Sequence, residues 1–118
     1  MLVSLMASLS PTVLLHAEEI EKDLGIPFYP GSRQDTNYAP LGVDKGGQSF
    51  RNINLITPDN FSKVLAFYQG RLGKFSIFKS QTSAKSALWN ESNPQGYRIL
   101  TLIGTQEGTK ITITKRTW

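Results

Sequence analysis

Apolar residues in the middle of the chain recur with the period of a helix. Over residues 61–72 they fall three and four positions apart, which places them along one stripe of a helix whose other side is polar. Thr57, Pro58 and Asp59 precede the stripe and predict the helix start, with Thr57 as the N-cap residue. Gly73 predicts its end. The stripe consists of Phe61, Val64, Leu65, Tyr68 and Leu72.

A period of two residues predicts strands on both sides of this helix. Ile53 and Leu55 alternate with asparagines before it, and Ile111 and Ile113 alternate with threonines near the end of the chain, so these apolar side chains should face a core. Residues 90–96 are rich in Asn, Ser, Pro and Gly and predict a turn. The predicted strands lie at 49–56, 75–78, 87–89, 97–103 and 109–114.

The order of these elements, with about four of the five segments paired in one sheet, predicts an α+β fold of the type β-α-β-β-β. Short connections, including a tight hairpin at 106–108, favour an antiparallel meander for the last strands. One main amphipathic helix then packs on an antiparallel sheet of about four strands, as a two-layer sandwich, and leaves the other sheet face uncovered. We expect the α+β body at 48–118, preceded at 18–47 by a short helix and then extended chain and loop, in a single domain over 18–118.

The first 17 residues have the pattern of a secretory signal peptide. An uncharged, largely apolar run ends at Ala17, and the acidic run that starts at Glu18 follows at once, which predicts cleavage after Ala17 and export to the periplasm or the cell exterior. A signal peptide ordinarily begins with a basic region, whereas no Lys or Arg precedes this run. The alternative is an N-terminal helix of the folded protein.

Charge is distributed unevenly along the 118 residues. The net charge is +4, but residues 18–44 carry six acids and two basic residues, whereas residues 45–118 carry eleven basic residues and three acids. One interpretation is that the acidic segment packs against the basic body and neutralises it in part. The other is a cationic face for a polyanion or an anionic membrane surface. Its candidate residues are Arg51, Lys79, Arg98, Lys110, Lys115 and Arg116.

Residues with catalytic chemistry are scarce. The chain has no Cys, and its one histidine, His16, lies within the predicted signal peptide, so neither a thiol nor an imidazole is expected in the exported domain. Asp59 is accounted for by the helix start, while Glu91 and Glu107 lie in predicted turns. We therefore expect no catalytic residues, no metal site and no cofactor, and a carboxylate-dependent hydrolase or accessory enzyme is the weakest hypothesis.

Four residues are candidates for ligand binding. Trp89 and Tyr97 would line the uncovered sheet face, and Arg98 and Lys110 would add positive charge to it. The alternative for the two aromatic residues is packing beneath the polar, glycine-rich loop predicted at 32–48.

Three motifs together resemble small exported bacterial domains of unknown function. They are a YPG(A/S) motif at Tyr29, a helix beginning at Thr57 that follows the pattern TPDSxxxVxxFY except for Asn60 in place of Ser, and a closing GTxIxI strand beginning at Gly108. The resemblance covers residues 26–114 and implies an exported location and a shared fold. It implies no activity and no functional residues.

These observations favour a non-enzymatic binding or assembly module of the bacterial cell envelope. A protein partner or a second copy would bind the uncovered sheet face, or a polyanion would bind its basic residues; specific recognition of nucleic acid is not expected.

Overall fold

The computed structural model describes residues 11–35, 41–43, 49–79 and 85–118, with side chains at 18–35, 51–78 and 85–118. The fold is α+β with one antiparallel sheet. Its elements are α1 (Pro11–Leu24), β1 (Arg33–Gln34), β2 (Leu41–Val43), β3 (Ser49–Thr57), α2 (Phe61–Leu72), β4 (Ser76–Lys79), β5 (Lys85–Asn93), β6 (Gly96–Thr105) and β7 (Gly108–Thr117). Residues 1–10 of the predicted signal peptide, 36–40 and 44–48 of the predicted loop, and 80–84 lie outside the described residues.

The sheet is larger than predicted, since seven strands are described where about four were expected. Its order is β1-β3-β7-β6-β5-β4, with β2 also pairing with β3, and every pair is antiparallel. The meander from β4 to β7 agrees with the prediction. The additional strands β1 and β2 have two and three residues, too few for a visible alternation. They form because one edge of β3 would otherwise leave its backbone groups without partners.

The prediction of a turn at 90–96 is wrong for residues 90–93. Strand β5 continues to Asn93, and only Pro94 and Gln95 form the turn to β6. The polar residues of this stretch stay in the strand because they pair in register with β6, where Glu91 lies opposite Arg98. Pairing across the sheet has overridden the local turn preference.

Helix α2 covers the predicted residues, but its N-cap is Asn60 and not Thr57. Thr57 is the last residue of β3 and pairs with Thr109. Asn60 has extended backbone angles, and its side chain accepts a hydrogen bond from the Lys63 backbone N–H at 2.9 Å. At the other end, Gly73 has φ 95° and donates its N–H to Gln69 O at 3.1 Å, so the predicted helix end is confirmed.

The core lies on one face of the sheet. Four residues from the N-terminal segment belong to it, namely Ile20, Leu24, Ile26 and Tyr29, each at most 6% exposed. Helix α1 runs without interruption across Ala17, the predicted cleavage position. The remaining core side chains are Ile53, Leu55, Phe61, Val64, Leu65, Tyr68, Ala87, Trp89, Leu100, Leu102, Ile111 and Ile113.

Register divides the strand positions into two sets. Leu100 and Leu102 of β6 point to the core, and the cross-strand partners of these two residues point the same way. We call this side the helix face, since contacts from α1 and α2 reach it. The opposite side is the open face. Its described side chains are Arg33, Asn52, Asn54, Ile56, Ser76, Phe78, Ser86, Leu88, Asn90, Ser92, Tyr97, Ile99, Thr101, Ile103, Thr105, Lys110, Thr112, Thr114 and Arg116.

Candidate functional site

The four predicted ligand-binding residues do not form one site. Tyr97 and Lys110 lie on the open face, as expected. Trp89 and Arg98 lie on the helix face. Trp89 pairs with Leu100, which points to the core, and Arg98 precedes Leu100 by two residues on β6. The expectation that all four line the uncovered face is therefore wrong. For Trp89 the sequence does not reveal this, because the face of a β5 residue relative to β6 depends on the register between the two strands. For Arg98 it does, because Arg98 follows Tyr97 on one strand and alternation alone places the two side chains on opposite faces.

Trp89 belongs to the core. It is 9% exposed, and its indole N–H donates a hydrogen bond to Leu72 O at the last residue of α2, at 3.1 Å. The side-chain donor thus satisfies one of the backbone carbonyls that a helix end leaves unpaired. The Arg98 guanidinium lies 5.3 Å from the centre of the Trp89 ring.

Arg98 connects the end of α1 to the sheet through hydrogen bonds. Its Nη1 donates to Leu24 O at 3.0 Å and to Gly25 O at 3.2 Å. Its Nε and Nη2 both donate to Glu91 Oε1, at 3.0 and 2.6 Å. A cation beside the carbonyls of a helix C-terminus is favourable, and the rigid guanidinium can serve the helix and the carboxylate together. These contacts give Arg98 a structural role.

Asp23 connects the acidic segment to two further cations of the helix face. Its carboxylate lies 2.9 Å from Arg51 Nε and 3.7 Å from Lys115 Nζ. Lys115 also donates to the Asp23 backbone carbonyl at 2.6 Å. The acidic segment therefore packs on the basic body, as the first interpretation of the charge pattern predicts. Of the six candidate cations, Arg51, Arg98 and Lys115 have acidic partners within the domain, and the Lys79 side chain lies outside the described residues.

Asp59 also has a structural role. It accepts a short hydrogen bond from the Tyr29 hydroxyl, and Lys63 Nζ lies 3.6 Å from its carboxylate. The hydrogen bond to Asp59 raises the pKa of Tyr29 to about 12, with burial as a further cause. Burial likewise raises the pKa of Tyr68, whose hydroxyl donates to Pro27 O at 2.8 Å.

The open face has an aromatic pair at one end. Tyr97 and Trp118 meet edge to face, with ring centroids 5.8 Å apart and an interplanar angle of 61°. The Trp118 indole N–H donates to Pro94 O at 3.0 Å, and its backbone N–H donates to Gln95 O. These bonds hold a ring that is 55% exposed. No local pattern singles out Trp118, because its neighbours come from the β5–β6 turn.

Amide and hydroxyl groups line the centre of the open face. Thr112 Oγ1 donates to Asn54 Oδ1 at 2.6 Å, and Thr114 Oγ1 lies 3.3 Å from Asn52 Oδ1. The Asn54 side-chain NH₂ group is buried, and no residue of the described ranges accepts a hydrogen bond from it. Alternation in β3 and β7 places these polar residues opposite the core, but only the pairing of β3 with β7 brings them together.

The far end of the open face combines cations with apolar side chains. One cross-strand row contains Phe78 and Ile103, which are 53% and 41% exposed, followed by Lys110, Ile56 and Arg33. Lys110 and Arg33 are exposed and make no ion pair within the described residues.

Two carboxylates of the described residues lie close to these cations. None of the open-face strand positions that the structure describes carries one. Asp35, just after β1, and Glu107, in the β6–β7 turn, join Arg33 and Lys110 in lining a groove of about 420 Å³. The strand positions themselves are neutral or cationic.

No protein-family model matches the chain, and searches of the curated proteins and of the solved structures give no match either. The resemblance to small exported bacterial domains therefore stays a prediction. Neither helix, over the residues that are described, is long and apolar enough to cross a membrane.

Proposed function

We propose that the protein is a non-enzymatic binding module of the bacterial cell envelope and that it binds through the open face. The supporting observation is the difference in charge pairing between the two faces. Arg51, Arg98 and Lys115 on the helix face have acidic partners, whereas Lys110 and Arg33 on the open face are exposed and make no ion pair within the described residues. In this proposal the domain is a two-layer sandwich, with helices on one side and the other side available to a partner.

Export after cleavage at Ala17 is part of the proposal. The first two residues after this position, Glu18 and Glu19, are exposed, and Ile20 is the first buried side chain among those described. Cleavage would thus leave the described contacts of α1 with the body in place, including those of Asp23 and Leu24. The mass of the protein isolated from its native cell tests this point. A mature chain beginning at Glu18 is expected, and a retained Met1 would contradict export by cleavage.

Binding to the envelope is tested by sedimentation with purified envelope fragments. We expect the protein to sediment with them at low salt, and we expect Lys110→Glu to reduce the bound fraction severalfold because it reverses a charge on the open face. Lys74→Glu is the matched control, since Lys74 is also exposed but lies in the connection between α2 and β4. Equal binding by both variants, or no binding by the unaltered chain, would contradict the proposal.

A further inference from the structure

We propose that the open face binds an acidic polysaccharide, a polymer of sugars that carry carboxylate groups. This inference rests on the proposed function, because it names the partner of the same face. Three properties of the face support it: its charge, its hydrogen-bonding groups and the separation of its two ends.

The charge of the face is complementary to an anion. Lys110 and Arg33 flank Ile56 in one row, on strands two apart, which places their backbones roughly 10 Å from each other. Arg116, at the other end, is a third basic residue of the face. A second copy of the chain packed face to face would bring these cations near one another, which is unfavourable. The occupant that the charges favour is therefore negatively charged.

The centre of the face offers the groups that hydroxyl-rich ligands require. Amides and hydroxyls can each donate to or accept from a sugar hydroxyl. Insertion of the face into the hydrocarbon of a membrane would remove these groups from water without replacing their hydrogen bonds, which is costly. The central polar side chains are Asn52, Asn54, Asn90, Thr101, Thr112 and Thr114.

The two ends of the face suit an extended ligand. Tyr97, beside the exposed Trp118 ring, and Ile103, beside Lys110, are six residues apart on β6, a distance of roughly 20 Å. An aromatic ring at one end can pack against the apolar C–H groups of a sugar, while cations at the other end attract its carboxylates. A chain of several sugars can contact both ends at once, whereas one sugar cannot.

Affinity measurements on the full chain with defined polymers test the inference. Alginate supplies sugar carboxylates, dextran supplies sugar hydroxyls without charge, poly(U) supplies phosphates and bases, and phosphatidylglycerol vesicles supply an anionic lipid surface. We expect binding to alginate that weakens with salt, and weaker or no binding to the other three probes. Preference for poly(U) or for the vesicles would overturn the inference, and so would equal binding to dextran.

Two variants separate the contributions of the two ends. Lys110→Gln should weaken alginate binding about threefold and reduce its dependence on salt. Trp118→Ala should weaken binding about fivefold and leave the salt dependence unchanged. Lys74→Gln is the control and should bind like the unaltered chain. Identical affinity of all three variants would overturn the inference even if alginate binds.

The envelope experiment distinguishes this failure from failure of the proposed function. If envelope fragments bind in a Lys110-dependent way but alginate does not, the face is functional and its occupant has a different chemistry. If neither binds, both the function and the inference are wrong. Self-association that Lys110→Glu abolishes would identify a second copy as the occupant, against the inference.

Discussion

The two faces of the sheet use the same strands for different purposes. On the helix face, Leu100, Leu102, Ile111 and Ile113 are fully buried, and the cations beyond them are paired with acids or helix carbonyls. On the open face, the alternate positions of the same strands carry threonines, asparagines, exposed apolar residues and cations. The buried side chains and paired cations of the helix face can be explained by the stability of the fold, whereas Lys110, which is exposed and makes no ion pair within the described residues, cannot.

This difference also changes the meaning of the net charge. Taken alone, +4 suggests a cationic surface of some kind. Arg51, Arg98 and Lys115 do not contribute to such a surface, because they contact α1 or Glu91. The charge that a partner would meet is carried by fewer residues than the count of basic residues suggests. Its location depends on how the strands pair.

The largest expected difference between the faces is in the stability that is lost when an apolar side chain is shortened to Ala. Leu102→Ala should lower the free energy of unfolding by about 3 kcal/mol, because Leu102 is fully buried and its removal leaves a cavity under α2. Its neighbour Ile103 is 41% exposed on the open face, and Ile103→Ala should cost less than about 1 kcal/mol. Urea unfolding of the two variants gives both values. Similar losses would mean that the open face is covered in solution and would undermine its assignment as a binding surface.

Periodicity predicted the elements better than it predicted their arrangement. The stripe from Phe61 to Leu72 and the alternation around Ile53 and Ile111 are local, so the sequence displays them directly. The N-cap was misplaced because Thr57, a good capping residue, is required by β3 instead. The positions of β1 and β2 could not be predicted, since these strands depend on an available edge and not on their own composition.

The candidate site was predicted in part for a related reason. Tyr97 and Lys110 were placed on the open face because alternation within a strand is local. The face of Trp89 depends on the register of β5 with β6, which no local pattern displays. Arg98 follows Tyr97 on β6, so alternation alone places it on the opposite face, and its inclusion in the predicted site is an error of the prediction. The contact between Arg98 and Leu24 joins residues 74 positions apart, and no local pattern reveals such a contact.

A difference of intermediate size is expected in the loss of stability when a cation is removed from each face, namely Arg98 from the helix face and Lys110 from the open face. Arg98→Ala should cost about 2 kcal/mol, because it leaves Glu91 without its partner and the carbonyls of Leu24 and Gly25 without their donor. Arg98→Lys should restore only part of this loss, since one ammonium group cannot reach both sides. Lys110→Ala should leave unfolding unchanged. Thermal and urea unfolding measure all three, and a stable Arg98→Ala variant would show that the end of α1 is held by its apolar contacts alone.

The smallest expected difference concerns two tyrosines. Tyr29→Phe should cost about 1 kcal/mol at neutral pH through loss of the hydrogen bond to Asp59, and Tyr97→Phe on the open face should cost less, since no hydrogen bond of its hydroxyl is seen within the described residues.

The pKa of Tyr29 is raised from 10.0 to about 12 in the folded chain. The unfolded chain therefore loses this proton first, and the stability due to Tyr29 is present below pH 10 and declines as pH rises from 10 to 12. Urea unfolding at pH 8 and at pH 11 should show the gap between Tyr29→Phe and the unaltered chain becoming smaller at the higher pH. A gap that does not change would mean that the Tyr29 hydroxyl is not bonded to Asp59 in solution.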